Sequence, residues 1–280
     1  MARFAVKTAP QRTTWEGMLD VWRTADEIEL FESAWNFDHL YPLHGDVSDP
    51  CLEAWVTLSA LAQATSRLRL GAMVTGMHFR HPAVTASMAA SLDIVSGGRL
   101  ILGLGAGWFE EEAEAFGIDL GTIGDRMTRF EEGIEVIHRL LTQKTTSFDG
   151  EYFHLKDAYC EPKPVQSPRP PIAIGGRGEK RTLRVVAEYA SIWDAQRYDP
   201  GTWPHLREVL EGHCEQVGRD SSEITSSAHL YVASDFDQGE IAERAAAMFD
   251  LGIDLVILGL RPPHEAKTVE RLAEALSDVD

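Results

Sequence analysis

Eight short apolar segments alternate with helical segments along this chain, and that repetition limits the fold more than any other feature of the sequence. The helix predicted over 125–141 shows the pattern, because its apolar residues recur three or four positions apart along one stripe. Regular alternation over 280 residues is typical of a (β/α)₈ barrel and argues against an all-β fold or two small domains. The sequence therefore predicts one α/β TIM-barrel domain covering residues 1–280.

The boundaries of the predicted elements follow from apolar runs and from capping and breaking residues. Thr13 and Glu16 have the spacing of a capping box for the first helix, and Pro82 suits the first turn of another. The strands are predicted at 4–6, 31–36, 68–75, 100–102, 171–174, 191–194, 228–232 and 255–258. Later helices are predicted near 52–64, 82–96, 125–141, 204–216, 238–251 and 265–276.

The segment 142–171 interrupts the alternation between the fourth helix and the fifth strand. Two short strand-like runs flank Asp149-Gly150, a signal for a two-residue hairpin turn, and five prolines follow between Pro162 and Pro171. This insertion is too long for an ordinary connection. We expect either a lid or interface element, or a structural cover on the side of the barrel.

Composition limits the partners and the compartment. Lys and Arg number 26 against 44 Asp and Glu, and the resulting net charge of −18 gives a surface field that repels nucleic acid and anionic membranes. The three cysteines form no Cys-x-x-Cys pair, so we expect reduced thiols rather than metal ligands. The sequence shows neither a leader pattern nor 18 consecutive apolar residues, which predicts a soluble, cytoplasmic protein.

Polar and glycine-rich positions gather where the predicted strands end. They are Asp38-His39, Thr75-Gly76, the glycines of 103–108, Gly175-Gly176 and Trp193. In a barrel, the carboxyl ends of the strands form the face that carries the active site. Glycines there let a planar ligand or a phosphate approach the main chain, although they can equally relieve crowding around a buried strand. Because the spacing is Gly-x-Gly-x-Gly and lies far from the first strand, a Rossmann fingerprint is excluded.

His39 is the candidate for proton transfer, because imidazole titrates near neutral pH and the carboxylate of Asp38 is adjacent in sequence. Asp38 would orient the ring or accept another hydrogen bond; the alternative is a histidine that packs in the barrel wall. A metal site built from Asp38, His39, His44 and Asp46 would have the spacing of no familiar ligand motif, so no metal is expected.

Residues 175–181 have the sequence Gly-Gly-Arg-Gly-Glu-Lys-Arg, at the predicted end of a strand and the start of a helix. Backbone N–H groups at a helix start, with cations close by, are suited to a phosphate. The alternative is a tight turn with surface cations. Phosphate sites of barrels more often follow the last two strands, where Gly259-Leu260-Arg261 is the competing candidate.

Five motifs occur in a fixed order between about residues 3 and 195. They are Asp38-His39-Leu40-x-Pro42, Thr75 before Arg80-His81-Pro82-Ala83, Leu92-Asp93-x-x-Ser96-Gly97-Gly98-Arg99, Gly103-x-Gly105-x-Gly107-Trp108 and Gly175-Gly176-x-Gly178. Together they resemble the bacterial luciferase-like monooxygenase superfamily. Within it, the chain is most similar to probable F420-dependent oxidoreductases of the actinobacterial branch, which use a deazaflavin coenzyme in place of a flavin. The last third of the chain is similar only in its strand and helix rhythm.

The resemblance implies a deazaflavin ring in the mouth of the barrel, with Asp38 and His39 at its reactive edge. It also implies a non-proline cis peptide at Met73-Val74, in a bulge against the ring. The residues that match cofactor contacts of the family are Asp38, Met73, Val74, Thr75, Gly105, Gly107, Trp108, Glu111, Gly175, Gly176, Arg177 and Gly178.

The activity that this resemblance implies is hydride transfer between C5 of coenzyme F420 and a small organic substrate, with His39 moving the accompanying proton. Two alternatives stay open: an FMN-dependent luciferase-like monooxygenase, and a non-catalytic barrel that binds a flavin-like ligand. Superfamily members commonly pair through barrel helices, so a homodimer is expected by resemblance.

Overall fold

The computed structural model describes residues 2–279, which form a parallel barrel surrounded by helices and so confirm the predicted α/β barrel. The strands are β1 (Phe4–Thr8), β2 (Phe31–Asn36), β3 (Arg69–Ala72), β4 (Thr75–Gly76), β5 (Leu102–Gly105), β6 (Thr146–Asp149), β7 (His154–Ala158), β8 (Ile172–Gly175), β9 (Ile192–Arg197), β10 (Thr225–Val232) and β11 (Leu255–Leu260). The helices are α1 (Trp15–Glu27), α2 (Ala54–Ala64), α3 (Pro82–Val95), α4 (Glu110–Ala115), α5 (Ile123–Thr142), α6 (Thr182–Tyr189), α7 (Trp203–Val217), α8 (Gln238–Asp250) and α9 (Ala266–Leu276). Within this described range, every helix is too short or too polar to cross a membrane.

The third strand of the barrel is split into two halves, so nine strands fill eight positions. The order around the barrel is β3-β2-β1-β11-β10-β9-β8-β5-β4, with parallel pairing throughout. β3 pairs with β2, whereas β4, which continues the same strand after Met73 and Val74, pairs with β5. A further bridge between Leu70 of β3 and Leu100 joins the two ends of the sheet. The barrel is therefore closed through the divided strand.

Alternate side chains of the barrel strands belong to two apolar layers. The outer layer includes Phe31 of β2 and packs against helix residues such as Trp22 of α1 and Phe130 of α5, and all three have almost no exposed surface. A smaller inner layer consists of Ala5, Trp35, Met73, Ile101, Ala173, Ile192, Leu255 and Ile257. Because successive side chains of a strand point to opposite faces, Lys7 shares the inward face of Ala5.

The helix starts follow capping rules, with one shift from the predicted position. Thr14 rather than Thr13 is the N-cap of α1, and its side chain accepts a hydrogen bond from the N–H of Gly17. Because Gly17 has no side-chain carboxylate, the capping box predicted from Thr13 and Glu16 does not form. A complete capping box occurs at α5 instead, where Thr122 and Asp125 satisfy each other's N–H groups. The α5 box fixes the start of the helix that follows the acidic helix α4.

The segment between α5 and β8 contains the antiparallel hairpin β6-β7. Asp149 pairs with His154, so the loop contains four residues, 150–153, rather than the two predicted from the Asp-Gly signal. Glu132 of α5 accepts hydrogen bonds from three N–H groups in and next to this loop, at 2.6, 2.9 and 3.2 Å. Further along, Gln166 donates to the buried carboxylate of Asp93 in α3. These contacts fix the segment to α5 and α3.

The motif at 92–99 lies at the amino-terminal end of the strands, away from the barrel mouth. Gly97 and Gly98 have φ values of +68° and +84°, in the left-handed region that favours glycine. Arg99 then donates to three carbonyl groups at the end of α2 and in the loop after it, those of Ala62, Thr65 and Leu68. This part of the family pattern therefore maintains the fold rather than the site.

Replacing Gly103 with alanine is expected to lower the free energy of unfolding by about 3 kcal/mol, measured by urea denaturation. A Cβ atom at this position would lie 1.9 Å from the carbonyl oxygen of Ala72, so β5 would have to move away from the third strand. Gly212→Ala is the matched control, because no atom lies within 4 Å of its added methyl group on α7. The control is expected to stabilise the protein by up to about 1 kcal/mol. Equal stabilities of wild type and Gly103→Ala would contradict this close approach.

Candidate active site at the barrel mouth

A cavity of about 190 Å³, open to solvent, lies at the carboxyl ends of the barrel strands. It is lined by Lys7, Phe37, Asp38, His39, Leu43, Met73, Val74, Gly76, His78, Gly107, Trp108, Asp194, Gln196, His229 and Tyr231. Six residues predicted from the sequence are in this lining, namely Asp38, His39, Met73, Val74, Gly107 and Trp108. The other predicted residues are outside it: Thr75, Gly105, Glu111, Gly175, Gly176, Arg177 and Gly178.

His39 is held by a carboxylate that the sequence did not indicate. Its Nδ1 lies 2.9 Å from Oε2 of Glu112, whose side chain has no exposed surface. The other oxygen, Oε1, accepts from the N–H groups of Leu40 (2.5 Å) and Tyr41 (2.9 Å). Burial raises the pKa of Glu112, but the hydrogen bonds and charge of His39 and the two N–H groups outweigh burial, so the pKa lies below its ordinary value. An ionised Glu112 requires the proton on Nδ1, which leaves Nε2 for a ligand.

Asp38 does not orient His39; it accepts hydrogen bonds from Arg80 instead. Nη1 and Nη2 of Arg80 lie 2.5 and 3.2 Å from the two carboxylate oxygens, and Nη2 also lies 2.7 Å from Glu53. Burial raises the pKa of Asp38, and the guanidinium of Arg80 opposes this shift. Of the two roles predicted for Asp38, accepting a separate hydrogen bond is therefore the one present. Nowhere in residues 2–279 do three His, Cys, Asp or Glu side chains group as a metal site would require.

The bulge between β3 and β4 contains a cis peptide bond between Met73 and Val74, the bond that the resemblance implied. Three glycines of β5 and β8 leave room for the Val74 side chain. Cβ atoms added to Gly105 and Gly175 would lie 2.5 and 3.1 Å from its methyl groups, and one added to Gly103 would lie 3.6 Å away. Thr75 follows the bulge with a buried hydroxyl that bonds to no described residue. The glycines thus admit a branched side chain into the wall of the mouth.

Gly107 leaves space for His78, a cavity residue that the sequence did not single out. Gly107 has φ of +90°, and a Cβ there would lie 2.2 Å from Nδ1 of His78. Both ring nitrogens of His78 are buried, and neither bonds to a described residue. Burial lowers the pKa of His78 to about 4, so the ring is neutral at pH 7. A neutral imidazole without partners has one donor and one acceptor for a ligand.

Two aromatic side chains after Gly107 form one rim of the cavity. Trp108 stacks on Phe109 with ring centroids 5.1 Å apart, and it makes an edge-to-face contact with His39, with ring centroids 5.8 Å apart. Because Trp108 is 58% exposed, it is available to cover a planar ligand. Glu111, the predicted cofactor contact, is exposed on α4, whereas Glu112 on the next position is buried. The predicted contact of Glu111 with the cofactor stays a prediction, and the carboxylate that faces inward at this position is that of Glu112.

The loop predicted to bind phosphate lies between β8 and α6. Gly176 has φ of +131°, and Arg177 and Gly178 are exposed. Arg181 is not available to an anion, because it forms an ion pair of 2.6 Å with Glu131 on α5. Gly259, the competing candidate, faces the ring of Tyr231, since an added Cβ would lie 2.8 Å from it. Of the two glycine segments, the one at 175–178 retains open main chain.

Glu112→Ala is expected to lower the free energy of unfolding by about 2–3 kcal/mol, because the N–H groups of Leu40 and Tyr41 lose their acceptor. The exposed Glu111→Ala is the control and should change stability by less than about 0.5 kcal/mol. Part of the stability lost in Glu112→Ala depends on the negative charge of Glu112. Since the folded pKa of Glu112 is lowered, this part is present above about pH 4.3 and is lost as the pH falls through the folded value. Denaturation curves at pH 7 and pH 3 measure both effects, and a loss that is equal for the two variants would refute the assignment.

Comparisons with known proteins agree with this fold. An uncharacterised protein of Mycobacterium tuberculosis H37Rv is 30% identical over 246 residues, which are 85% of this chain and 83% of that protein. The F420-dependent glucose-6-phosphate dehydrogenase of Kineococcus radiotolerans is 30% identical over 255 residues, 89% of this chain and 73% of that protein. A solved F420-dependent secondary alcohol dehydrogenase, in complex with an F420-acetone adduct, superposes with a TM-score of 0.87 over 100% of this chain and 99% of that one. Its 20% identity supports the fold alone.

The model of the family described as luciferase-like monooxygenase matches residues 1–278, almost the whole chain. The barrel, the cis peptide at Met73-Val74 and the polar mouth described above accompany this match. The protein is therefore a member of the luciferase-like monooxygenase family.

Proposed function

We propose that this protein is an F420-dependent oxidoreductase that transfers a hydride between C5 of the deazaflavin and a small organic substrate. The observation that carries the proposal is the pair of His39 and Glu112, which leaves one imidazole nitrogen facing a cavity at the active end of the barrel. Relatives with F420-dependent activities over most of the chain support the choice of coenzyme. Membership of the luciferase-like monooxygenase family does not depend on which coenzyme binds.

The residues of the mouth fit a planar coenzyme. Gly107 lines the cavity without a side chain, and Gly105 and Gly175 let Val74 into the wall beside it, so a planar ring can lie against Val74 and the main chain of Gly107. The hydroxyl of Thr75 and the ring nitrogens of His78 are buried polar groups without described partners, as expected of groups that await a ligand. Met73, Val74 and Trp108 would hold the ring by apolar contact.

The remaining predicted cofactor residues lie outside the ring-binding part of the cavity or support it. Gly175, Gly176, Arg177 and Gly178 would bind the phosphate, because their loop is exposed and the N–H groups of Arg177 and Gly178 donate to no described backbone acceptor. Asp38 would hold its position through Arg80. Glu111 is exposed, so we assign its predicted contact to the outer part of the coenzyme, while Glu112 acts through His39.

When bound, the deazaflavin supplies a hydride acceptor or donor at C5, and the chain supplies orientation and a proton. His39 Nε2 would exchange a proton with the substrate oxygen, and Glu112 stabilises the imidazolium that forms when Nε2 takes it up. Phe37 and Trp108, whose rings flank His39, would limit the access of water.

Two other functions remain as alternatives on the same scaffold. The family description favours a monooxygenase, and FMN would then occupy the mouth. FMN ends at a single phosphate, whereas F420 extends further from its phosphate and needs an open surface past Arg177. The second alternative is a barrel that binds a flavin-like ligand without catalysis; the buried carboxylate behind His39 would then have no chemical use.

Titration with F420 and, separately, with FMN tests the coenzyme, because Trp108 at the rim should be quenched by a bound ring. We expect saturable quenching by F420 at much lower concentration than by FMN. His39→Ala should retain F420 affinity within about twofold and lose 10²–10⁴-fold in turnover, the usual contribution of a general acid or base. His44 is an exposed histidine nearby, so His44→Ala is the control and should keep both the F420 affinity and the turnover of the wild type.

Several results would reject these assignments. Tighter binding of FMN would favour the monooxygenase and make oxygen consumption the relevant assay. Full turnover by His39→Ala would remove the proposed proton transfer. Failure of either coenzyme to bind would remove the cofactor assignment while leaving the barrel unaffected.

A homodimer is part of the proposal, and the outer face of α2 and α3 supports it. Val56, Val84 and Val95 are exposed there by 72%, 52% and 48%, next to an apolar groove that includes Met88. Exposed aliphatic side chains grouped on one face are typical of an interface. Light scattering should therefore give twice the monomer mass of 31.1 kDa. A monomer at micromolar concentration would count against pairing.

The three cysteines are free, which supports a reducing compartment such as the cytoplasm.

A further inference from the structure

The inside of the barrel is polar on one side of the cavity and made of glycine and apolar residues on the other. Lys7 of β1, Asp194 of β9, and His229 and Tyr231 of β10 all contribute to the cavity wall. In the barrel these strands follow the order β1, β11, β10, β9. The residue of β11 that points inward at this level is Gly259, which has no side chain. The polar side chains thus form one continuous patch, which we call the polar floor.

One oxygen of Asp194 in the polar floor is held by two other residues. Its Oδ1 lies 3.2 Å from Nε2 of His229 and accepts from the N–H of Gln196 at 2.9 Å. Gln196 adopts φ of +63°, a conformation that costs energy outside glycine and that brings its N–H to this carboxylate. Burial raises the pKa of Asp194, but His229, Lys7 and Gln196 outweigh burial, so the pKa lies below its ordinary value. Asp194 therefore stays ionised.

Lys7, in contrast, has no partner in contact. Among residues 2–279 it forms neither a salt bridge nor a hydrogen bond, and Asp194 acts on it only through longer-range attraction. Burial lowers the pKa of Lys7 to about 8, so the ammonium form still predominates at pH 7. Lys7 is half-buried in the cavity wall, and a lysine ammonium has three donors. These donors bond to no described residue and face the cavity, so they are available to an acceptor on the ligand.

The charges of the floor determine which acceptor fits. Burial lowers the pKa of His229 and outweighs Asp194, so the imidazole is neutral and the pair carries one negative charge. Lys7 balances that charge at a distance. A carboxylate or phosphate would add an unbalanced negative charge near Asp194, whereas an uncharged oxygen can accept from Lys7 without changing the balance.

We propose that Lys7 is a specificity-determining residue that binds an uncharged oxygen, a hydroxyl or a carbonyl, of the substrate at the polar floor. With His39 at the mouth of the same cavity, the substrate would then have two oxygen functions, one that reacts and one that is bound deeper. The substrate class is thus a neutral hydroxyketone, diol or diketone rather than an acid. This inference relies on the proposed oxidoreductase function only for the reacting group, because the Lys7 contact is a binding event.

The test compares three small probes of similar size: hydroxyacetone, which has a second neutral oxygen, butanone, which lacks it, and pyruvate, which has a carboxylate. Trp35 pairs in register with Lys7 and lies in the inner layer, so tryptophan fluorescence reports occupation of the floor. In the wild type, with and without F420, hydroxyacetone should bind at least about tenfold more tightly than butanone or pyruvate. A ratio of this size is what one hydrogen bond to a charged donor contributes to affinity.

Lys7→Met removes the ammonium at nearly constant volume and should bind hydroxyacetone and butanone equally. Because it removes an unpaired buried cation, the variant should fold with an unchanged circular dichroism spectrum. Lys7→Arg, which retains the charge, should restore part of the preference. Lys156→Met on the exposed hairpin strand is the control and should match the wild type.

Three results would overturn the proposal. The first is a preference for pyruvate, which would make Lys7 an anion site. The second is an unchanged order of the probes in Lys7→Met, or their failure to bind the wild type. The third is a loss of F420 affinity in Lys7→Met, which would assign Lys7 to the coenzyme. If the wild type instead failed to bind F420 but still discriminated the probes through Lys7, the coenzyme assignment would fail and the Lys7 contact would stand.

Discussion

Closure of the barrel through a divided third strand is the constraint on which the rest of the structure depends. β3 must pair with β2 and β4 with β5, and the two residues between them direct Val74 toward the interior. That arrangement is sterically possible because Gly105 and Gly175 have no side chains where Val74 lies, and because Gly103 has none where the carbonyl oxygen of Ala72 lies. The glycines therefore let the divided strand close the sheet and place Val74 in the wall of the cavity.

Three buried carboxylates surround the cavity, and each has a different partner. Asp38 is paired with Arg80, Glu112 with His39, and Asp194 with His229. Burying a carboxylate is costly unless it is paired or hydrogen-bonded, so these pairings allow three carboxylates to be buried around one cavity. They also determine which groups are left over. His39 retains one free nitrogen and Lys7 retains its donors, and these are the groups that a substrate can reach.

Stability and chemistry are separated between the two ends of the barrel. At the amino-terminal end, Arg99 and the buried Asp93 tie α2, α3 and the 143–171 segment together through main-chain and amide groups. At the carboxyl end, His78 and Thr75 have buried polar groups without described protein partners, and the half-buried Lys7 pairs with no described residue. Unsatisfied buried groups cost stability, and a well-bonded opposite end can offset that cost. This division is typical of barrels, in which the loops after the strands vary without disturbing the core.

The sequence by itself determined the barrel, the end of it that carries the site, and six of the fifteen residues that line the cavity. These features depend on local patterns: apolar periodicity defines strands and helices, and parallel strands bring their carboxyl ends together. The family motifs added the cis peptide at Met73-Val74. Tertiary structure decided the partners. His39 and Glu112 are 73 positions apart, and the phase of a short helix chose Glu112 over Glu111. The Arg80 contact of Asp38 and the isolation of Lys7 likewise result from packing between distant strands, which no local pattern records.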